Sequence, residues 1–267
     1  MNSRRIVKMC GIVLIFIAAI MLLIPDQAGA TNNKYNRVAR LGTPQIDGNL
    51  NDPVWQKADW QEMDVYGVGT QPTQPSGFKA KSAVLWDDKS LYIAVEVDDQ
   101  VHAVPKAIVP DAGNLWQGDS PQHRVDLEYD SISNSSADIE WGYALQDGVI
   151  LTTAWSNPSK IEFKDVKIIR DDAKKKTYYE TAVVLHMVKS NQTLSEYVKA
   201  NQDAKIGYSD MVNDNDGGAR LGWLEWSSGI GATKDANLFG TLTFDHTLLT
   251  AVDFAGKLVS TWGDLKR

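Results

Sequence analysis

Residues 79–97 read KAKSAVLWDDKSLYIAVEV, two apolar runs separated by a short polar segment. In the run 91–97 every other residue is Leu, Ile or Val, which is the period-two pattern of a β-strand with one buried face. The segment Asp87–Ser90 consists of residues that favour tight turns. This stretch therefore predicts an antiparallel hairpin of strands Lys79–Trp86 and Leu91–Val97.

The same short-strand pattern continues through most of the chain. Turn residues such as Gln146–Gly148 separate the apolar runs, and the spacing suits two packed antiparallel sheets. We predict an all-β, two-sheet antiparallel β-sandwich, of jelly-roll or immunoglobulin-like type, over residues 31–245. A helical pattern lies within 187–202, and residues 246–267 predict an amphipathic C-terminal helix packed on the sandwich. Further strands are expected at 124–129, 139–145, 149–155, 161–170, 178–185, 205–212 and 238–244.

The first 30 residues have the order of a secretory signal peptide. Arg4, Arg5 and Lys8 precede an apolar run at 9–24, and small residues occupy 28–30. We expect cleavage after Ala30 and a secreted protein. The apolar run is shorter than the roughly 20 residues of a membrane-spanning helix, and an uncleaved signal anchor is the less favoured alternative.

Composition excludes several classes of protein. The chain is 43% hydrophobic and 23% charged, which argues against disorder and against a multi-span membrane protein. Its formal net charge of -7 argues against nucleic acid as a partner. The single cysteine, Cys10, lies in the predicted signal peptide and leaves no thiol for a disulfide or a nucleophile.

Five short segments occur in a fixed order and together resemble a known family. They are IDGNLNDPVW at 46–55, LWDDKSLY at 85–92, WQGDS at 116–120, VNDND at 212–216 and LFGTL at 238–242. Over about 45–242 the chain is similar to the family 9 carbohydrate-binding modules, relatives of the DOMON-like β-sandwich domains. The resemblance implies a non-catalytic sandwich that binds sugars, often at chain ends. It also implies attachment to a polysaccharide-degrading enzyme and structural calcium.

Trp116 is the first candidate for sugar contact. It lies in a polar, glycine-bearing stretch where no strand alternation demands an indole, so an exposed stacking platform and a buried ring are both open interpretations. A flat ring offers its face to the C–H groups of a pyranose, while amides and carboxylates nearby fix the hydroxyls. The candidate sugar-binding residues are Trp116, Asp119, Gln122, Glu140, Trp155, Asn213 and Trp226.

The resemblance also marks positions where this chain departs from the family. Gln122 stands where the resemblance places a glutamate, which removes a charge but keeps an acceptor and adds two donors. A second aromatic residue is expected near Thr233, where there is none, and an arginine position falls at Gly142. Trp155, Trp223 and Trp226 are the candidates for a second ring, although Trp226 also reads as a buried strand residue.

A run of oxygen donors predicts a site for a hard cation. Asn213–Gly218 has four Asn and Asp residues around a flexible turn, which suits calcium. Asp98–Asp99, after the central hairpin, is a second candidate, and there the family resemblance favours Asp99. The candidate metal ligands are Asp99, Asp214 and Asp216. The alternative is an Asx-rich turn with no ion. Sugar binding itself requires no cofactor in this interpretation.

Two other functions stay open at this point. The DOMON kinship allows a haem-binding electron-transfer domain that uses one Met and one His, among Met63, Met211, His102 and His123. The other alternative is that the chain is itself a glycoside hydrolase, although no histidine motif or nucleophile elbow appears. For the leading interpretation the partners are a polysaccharide or oligosaccharide, with a glycoside hydrolase or a cell-surface protein as a docking partner.

Overall fold

The computed structural model describes residues 34–249, so the predicted signal peptide lies outside the described residues. Within this range one α-helix is present, α1 at Leu194–Ala200, and none is long and apolar enough to cross a membrane. The prediction of an all-β fold is confirmed. The strands are β1 (Asn36–Leu41), β2 (Gln61–Met63), β3 (Val65–Val68), β4 (Lys79–Trp86), β5 (Leu91–Asp98), β6 (Ser120–Asp126), β7 (Asp138–Gln146), β8 (Val149–Ser156), β9 (Ile161–Asp171), β10 (Lys176–Leu185), β11 (Lys205–Asp214), β12 (Gly222–Glu225) and β13 (Gly240–Leu248).

The predicted hairpin forms as strands β4 and β5. Asp87 fixes its turn, because one carboxylate oxygen accepts the backbone N–H groups of Lys89 and Ser90 at 2.8 and 2.9 Å. The other oxygen accepts the hydroxyls of Thr43 and Tyr92 at 2.7 and 2.8 Å. The turn is therefore held by side-chain hydrogen bonds as well as by strand pairing.

The strands form two layers around one core. Their hydrogen-bonded order is β8-β7-β6-β11-β13-β1-β4-β5-β10-β9. Strand β1 joins the two halves, since it pairs in parallel with both β13 and β4. The main buried cluster takes Ile93 and Val95 from one half and Val125 and Ile139 from the other, as a sandwich requires.

The outer face of β4, β5 and β10 is covered by the segment 42–60. Trp55 is fully buried there, and its indole N–H donates to Glu180 on β10 at 2.7 Å. The second carboxylate oxygen of Glu180 accepts the backbone N–H groups of Asp47 and Gly48. The motif at 46–55 is thus a clamp, in which one carboxylate holds both the turn and the tryptophan.

Several strand boundaries differ from the sequence prediction, and two of these differences bear on predicted elements. Strand β6 ends at Asp126 rather than at Tyr129, because the Asp126 carboxylate accepts the N–H groups of Glu128 and Ser131 and starts a turn. The predicted start of the tail helix at 246 falls inside β13, which still pairs with β1 at Leu248. The rest of that predicted helix lies outside the described residues.

Candidate functional site

A cavity of about 290 Å³ opens beside strands β6, β7 and β8. Four of the predicted sugar-binding residues line it together with three others, and its size approaches that of small-molecule sites in general. The lining residues are Trp116, Gln122, Glu140, Trp155, Arg220, Gly231 and Lys234. We call this cavity the Trp116 pocket.

The Trp116 side chain is presented by a short 3-10 turn at Ala112–Gln117. The Asp111 carboxylate accepts the N–H of Gly113 and begins the turn, and the buried side chain of Leu115 anchors it. Trp116 itself is 40% exposed. Of the two interpretations left open by the sequence, the structure therefore favours the exposed indole.

Trp155 on β8 forms a second aromatic wall. Its indole N–H donates to the carbonyl of Gly113 at 2.8 Å, which ties the strand to the turn that carries Trp116. Its ring lies over Gly142, where a Cβ atom would stand 2.8 Å from the indole. The absence of a side chain at 142 is what lets the Trp155 ring settle against β7.

The floor of the pocket is polar. Gln122 on β6 is almost fully buried. Glu140 on β7 accepts a hydrogen bond from Lys234, and its other carboxylate oxygen lies 3.7 Å from a guanidinium nitrogen of Arg124. Arg124 is in turn paired with Asp138 at 3.1 Å. The pocket therefore offers an amide and a carboxylate whose negative charge is balanced by neighbouring cations.

Arg220 and Lys234 are pocket residues that the sequence analysis missed. The guanidinium carbon of Arg220 lies 5.1 Å from the ring centre of Trp116 and 4.2 Å from that of Trp223. One guanidinium nitrogen donates to the side-chain oxygen of Asn213 at 2.8 Å. Arg220 is thus stacked between two indoles. A single arginine in a glycine-rich turn carries no sequence signal for this placement.

Three predicted sugar-binding residues lie elsewhere. Asp119 is buried outside the pocket, because its two carboxylate oxygens accept the backbone N–H groups of Ala103 and Asn215. Asn213 is fully buried and acts behind the pocket by holding Arg220. Trp226 follows the end of β12 and is buried in the main core, where its ring contacts Tyr35 and Tyr208.

Asp119 joins two of the predicted metal ligands in a buried cluster. Asp99, Asp119 and Asp214 each offer an oxygen within 4.8 Å of the others, and all three are buried. Burial raises the pKa of Asp99 to about 6 and that of Asp214 to about 7, and neighbouring carboxylates add to both shifts. Oxygen Oδ2 of Asp214 is buried without a hydrogen-bond partner. This donor set fits a hard cation such as calcium, which binds carboxylate oxygens.

The third predicted metal ligand, Asp216, is not part of this group. Its side chain is exposed, and its negative charge acts on Asp99 and Asp214 from a distance by raising the pKa of each. The sequence placed Asp216 in the site because it lies in the same acidic run. Its position just past the end of β11 instead leaves it in the solvent-facing turn.

The carboxylate cluster is tied to the pocket through Asn215. The backbone N–H of Asn215 donates to Asp119 at 2.7 Å, and its side-chain amide donates to the carbonyls of Gln117 and Gly218 at 2.7 and 2.6 Å. Gln117 follows Trp116, and Gly218 precedes Arg220 by two positions. The cluster and Asn215 therefore hold together the loop that carries Trp116 and the loop that carries Arg220.

The haem alternative finds no geometric support. His123 is fully buried, and its ring nitrogens contact the hydroxyls of Tyr143 and Tyr208 at 3.0 and 3.3 Å. Met211 is also fully buried. Neither side chain faces an open cavity that would admit an axial ligand bond. Of the other candidates, Met63 lies in the main core and His102 contacts the carbonyl of Leu145.

Sequence comparison relates the chain to a protein family and to much longer enzymes. Residues 46–247 match a family described as carbohydrate family 9 binding domain-like. The chain is 30% identical over 204 residues to endo-1,4-beta-xylanase C of Paenibacillus barcinonensis, and 27% identical over 214 residues to endo-1,4-beta-xylanase A of Thermotoga neapolitana. These matches cover 75% and 76% of this chain but 16% and 17% of the xylanases, so the chain spans about a sixth of their length.

Solved structures support the fold. A carbohydrate binding module family 9 domain from Caldicellulosiruptor kristjanssonii in complex with cellotriose aligns with a TM-score of 0.60 and 19% identity, over 85% of this chain and all of that one. The same organism's module in complex with glucose aligns with a TM-score of 0.59 and 20% identity, over 80% and 97%. At 19 to 20% sequence identity, these structures show a shared fold and carry no further assignment.

Proposed function

The chain belongs to the carbohydrate family 9 binding domain-like family, and from this premise we propose that the Trp116 pocket binds sugar rings of a glycan and does not cleave them. The observation that carries the proposal is the convergence of two indoles, a buried amide and a carboxylate on one small cavity. Solved relatives of the same fold hold cellotriose and glucose, which supports a sugar as the ligand.

The pocket supplies both kinds of contact that a sugar needs. The exposed part of the Trp116 ring and the Trp155 wall offer apolar faces for the C–H groups of a pyranose. Gln122 offers an oxygen and two N–H donors, and Glu140 offers oxygens that accept hydroxyl protons. Because Trp155 and Glu140 are already held by the contacts described above, these side chains lose little order on binding, and this part of the site is preformed.

The charge arrangement supports binding without hydrolysis. A glycosidase uses two carboxyl groups about 5 to 10 Å apart across the scissile bond. Among the described residues that line the pocket, Glu140 is the one carboxylate, and it is engaged by Lys234 and Arg124. A second carboxyl group to act as acid or nucleophile is missing from this lining, so we propose that any glycan cleavage is done by a partner enzyme.

Titration of the purified protein with sugars tests the proposal. Calorimetry with soluble cello- and xylo-oligosaccharides, and co-sedimentation with insoluble cellulose and xylan, give the wild-type affinities. Trp116→Ala is expected to abolish or strongly weaken binding, whereas Trp60→Ala, a half-buried tryptophan outside the pocket, is the matched control. No binding to any sugar by the folded wild-type protein would overturn the proposal.

We also propose that the buried cluster Asp99, Asp119 and Asp214 holds a structural calcium ion. The unpartnered oxygen of Asp214 and the raised pKa values of Asp99 and Asp214 support this, since three buried carboxylates repel one another unless a cation neutralises them. When bound, such an ion supplies charge balance and fixes the loops. The residues themselves keep Trp116 and Arg220 in register through Asn215.

Thermal unfolding tests the calcium proposal. We expect calcium to raise the melting temperature of chelator-treated protein by several degrees, because a ligand that binds only the folded state stabilises it by mass action. Asp214→Asn is expected to remove this increase, and Asp88→Asn, in the β4–β5 turn, is the control that keeps it. A melting temperature that calcium leaves unchanged in the wild-type protein would refute the site.

Finally, we propose export and association with polysaccharide breakdown. The basic start, apolar run and small-residue end of residues 4–30 support cleavage after Ala30 and a secreted protein. The xylanase relatives support a glycoside hydrolase as a partner. N-terminal sequencing of the mature protein from culture medium tests the first point, and an amino terminus at Met1 would contradict it.

A further inference from the structure

Arg220 is held in the wall of the Trp116 pocket without a carboxylate partner. Across residues 34–249 no carboxylate oxygen lies within 4.0 Å of its guanidinium. Its guanidinium carbon lies over the rings of Trp116 and Trp223, and one nitrogen donates to Asn213. Arginine carries five N–H donors, so the edge of the group keeps donors for a ligand. A half-buried cation in this position favours an anionic partner.

The other charges near the pocket do not neutralise Arg220. Glu140, the carboxylate of the lining, is engaged by Lys234 and Arg124. Position 122, at the pocket floor, is a neutral glutamine. The Arg220 charge is therefore unbalanced on the side that faces the ligand.

Glu225 lies behind the pocket and is directed elsewhere. Its oxygen Oε1 accepts the indole N–H of Trp223 and the backbone N–H of Gly231, both at 2.7 Å. Burial raises the pKa of Glu225, while its hydrogen bonds to Gly231 and Trp223 act in the opposite direction. Glu225 thus helps to position Trp223 against Arg220, and its carboxylate acts on the guanidinium from a distance without pairing with it.

We propose that the Trp116 pocket prefers sugar rings that carry a carboxylate, and that the guanidinium of Arg220 receives this carboxylate. The inference rests on the proposed sugar-binding function and specifies its substrate class as uronic-acid-bearing glycans. Arginine and carboxylate form parallel hydrogen bonds in which both partners are charged, and such charge-assisted bonds are roughly twice as strong as bonds between neutral groups. The contacts with Trp116, Trp223 and Asn213 already hold the guanidinium in the pocket wall, so little order is lost when the pair forms.

Two matched ligand pairs test the proposal. Methyl β-glucoside and methyl β-glucuronide differ only at C6, and xylotriose is compared with xylotriose that carries one glucuronic acid. We expect the wild-type protein to bind the acidic member of at least one pair about tenfold more tightly at low salt. The ratio is expected to fall when the salt concentration is raised to about 0.5 M, because salt screens the charge.

Variants at 220 separate charge from shape. Arg220→Gln is expected to bring the acidic-to-neutral ratio close to one, and Arg220→Lys to keep part of it. Lys199→Gln, at an exposed position of α1, makes the same change in net charge and is expected to keep the wild-type ratio. Circular dichroism and the melting temperature check that each variant is folded.

The outcomes distinguish this inference from the proposed function. Equal or weaker binding of both acidic sugars by the wild-type protein, with neutral oligosaccharides still bound, overturns the inference and leaves the sugar site intact. An acidic preference that survives in Arg220→Gln overturns the assignment of Arg220. Failure to bind any neutral or acidic sugar overturns the proposed function and this inference together.

Discussion

Trp55 and Trp116 both belong to the short segments by which the sequence resembles its family, yet they lie in opposite environments. Trp55 is fully buried, and its indole N–H is taken by Glu180. Trp116 is 40% exposed and stacks against Arg220 at the wall of a cavity. One tryptophan closes a clamp over the sheet, and the other is open to solvent beside groups that form hydrogen bonds.

The difference shows what separates a structural indole from a candidate binding indole. Around Trp55, apolar residues and a single buried carboxylate satisfy every group of the ring. Around Trp116, polar residues and a cation leave part of the ring uncovered. A tryptophan in such a motif is therefore assigned by the partners of its N–H and of its ring face, not by the motif.

Replacement of Trp55 is expected to have the largest effect. Trp55→Ala leaves a cavity in a sealed site and leaves Glu180 without its indole donor, so it is expected to lower the free energy of unfolding by about 3 to 5 kcal/mol. Denaturant unfolding measures this change. Unchanged stability would mean that the ring is not an essential part of the clamp.

Replacement of Trp116 is expected to act on binding instead. Trp116→Ala removes an exposed ring at the centre of the pocket, so we expect affinity for sugar to fall by about 2 kcal/mol, roughly thirtyfold. The free energy of unfolding is expected to change by about 0.5 kcal/mol or less. Calorimetry and denaturant unfolding on the same samples check the two values. A large loss of stability with intact affinity would reverse the comparison.

A smaller effect is expected from replacement of Gly142, against which the Trp155 ring lies. Gly142→Ala introduces a Cβ atom 2.8 Å from the ring of Trp155 and from the carbonyl oxygen of Pro121, so the indole must move. We expect stability to fall by about 1 kcal/mol and sugar affinity to fall several-fold. Gly148→Ala, where a Cβ meets nothing within 4 Å but φ is +79°, is a control for backbone strain without pocket contact. Equal affinity in both variants would contradict a role for Trp155.

The smallest expected effect is the pH dependence of the stability that Asp87 contributes in the β4–β5 turn. Although burial opposes it, hydrogen bonds from Thr43, Tyr92 and the turn backbone hold the pKa of Asp87 below its usual value. A lowered folded pKa contributes stability above the unfolded pKa of about 4, and this contribution is lost as pH falls through the folded value. Asp87→Asn is therefore expected to cost about 0.5 kcal/mol at pH 7 and less near pH 2. Denaturant unfolding at the two pH values measures the difference, and a cost independent of pH would contradict it.

The sequence predicts the strands and part of the pocket for physical reasons that hold locally. Period-two alternation fixed the hairpin β4–β5, and the lack of alternation around Trp116 allowed an exposed ring. Asp119 was assigned to the pocket because it is near Gln122 in sequence. Three positions along an extended chain place two side chains on opposite faces, so Asp119 turns to the carboxylate cluster and Gln122 to the pocket.

The rest of the site depends on contacts between loops that are distant in sequence. Asn215 ties the loop that carries Arg220 to the loop that carries Trp116, and Lys234 reaches Glu140 from a third loop. No periodicity or local motif reports such contacts. The same limit applies to the clamp, where Trp55 and Glu180 are 125 positions apart.

The central claim is that sugar binds at Trp116 and not at the buried motif tryptophan. The most direct test is the indole N–H region of a ¹H–¹⁵N spectrum, in which each of the nine tryptophans is assigned and followed during titration with an oligosaccharide. We predict that the signals of Trp116 and Trp155 shift with saturation and that those of Trp55 and Trp226 stay in place. Saturable binding that leaves the Trp116 and Trp155 signals unmoved would contradict the account.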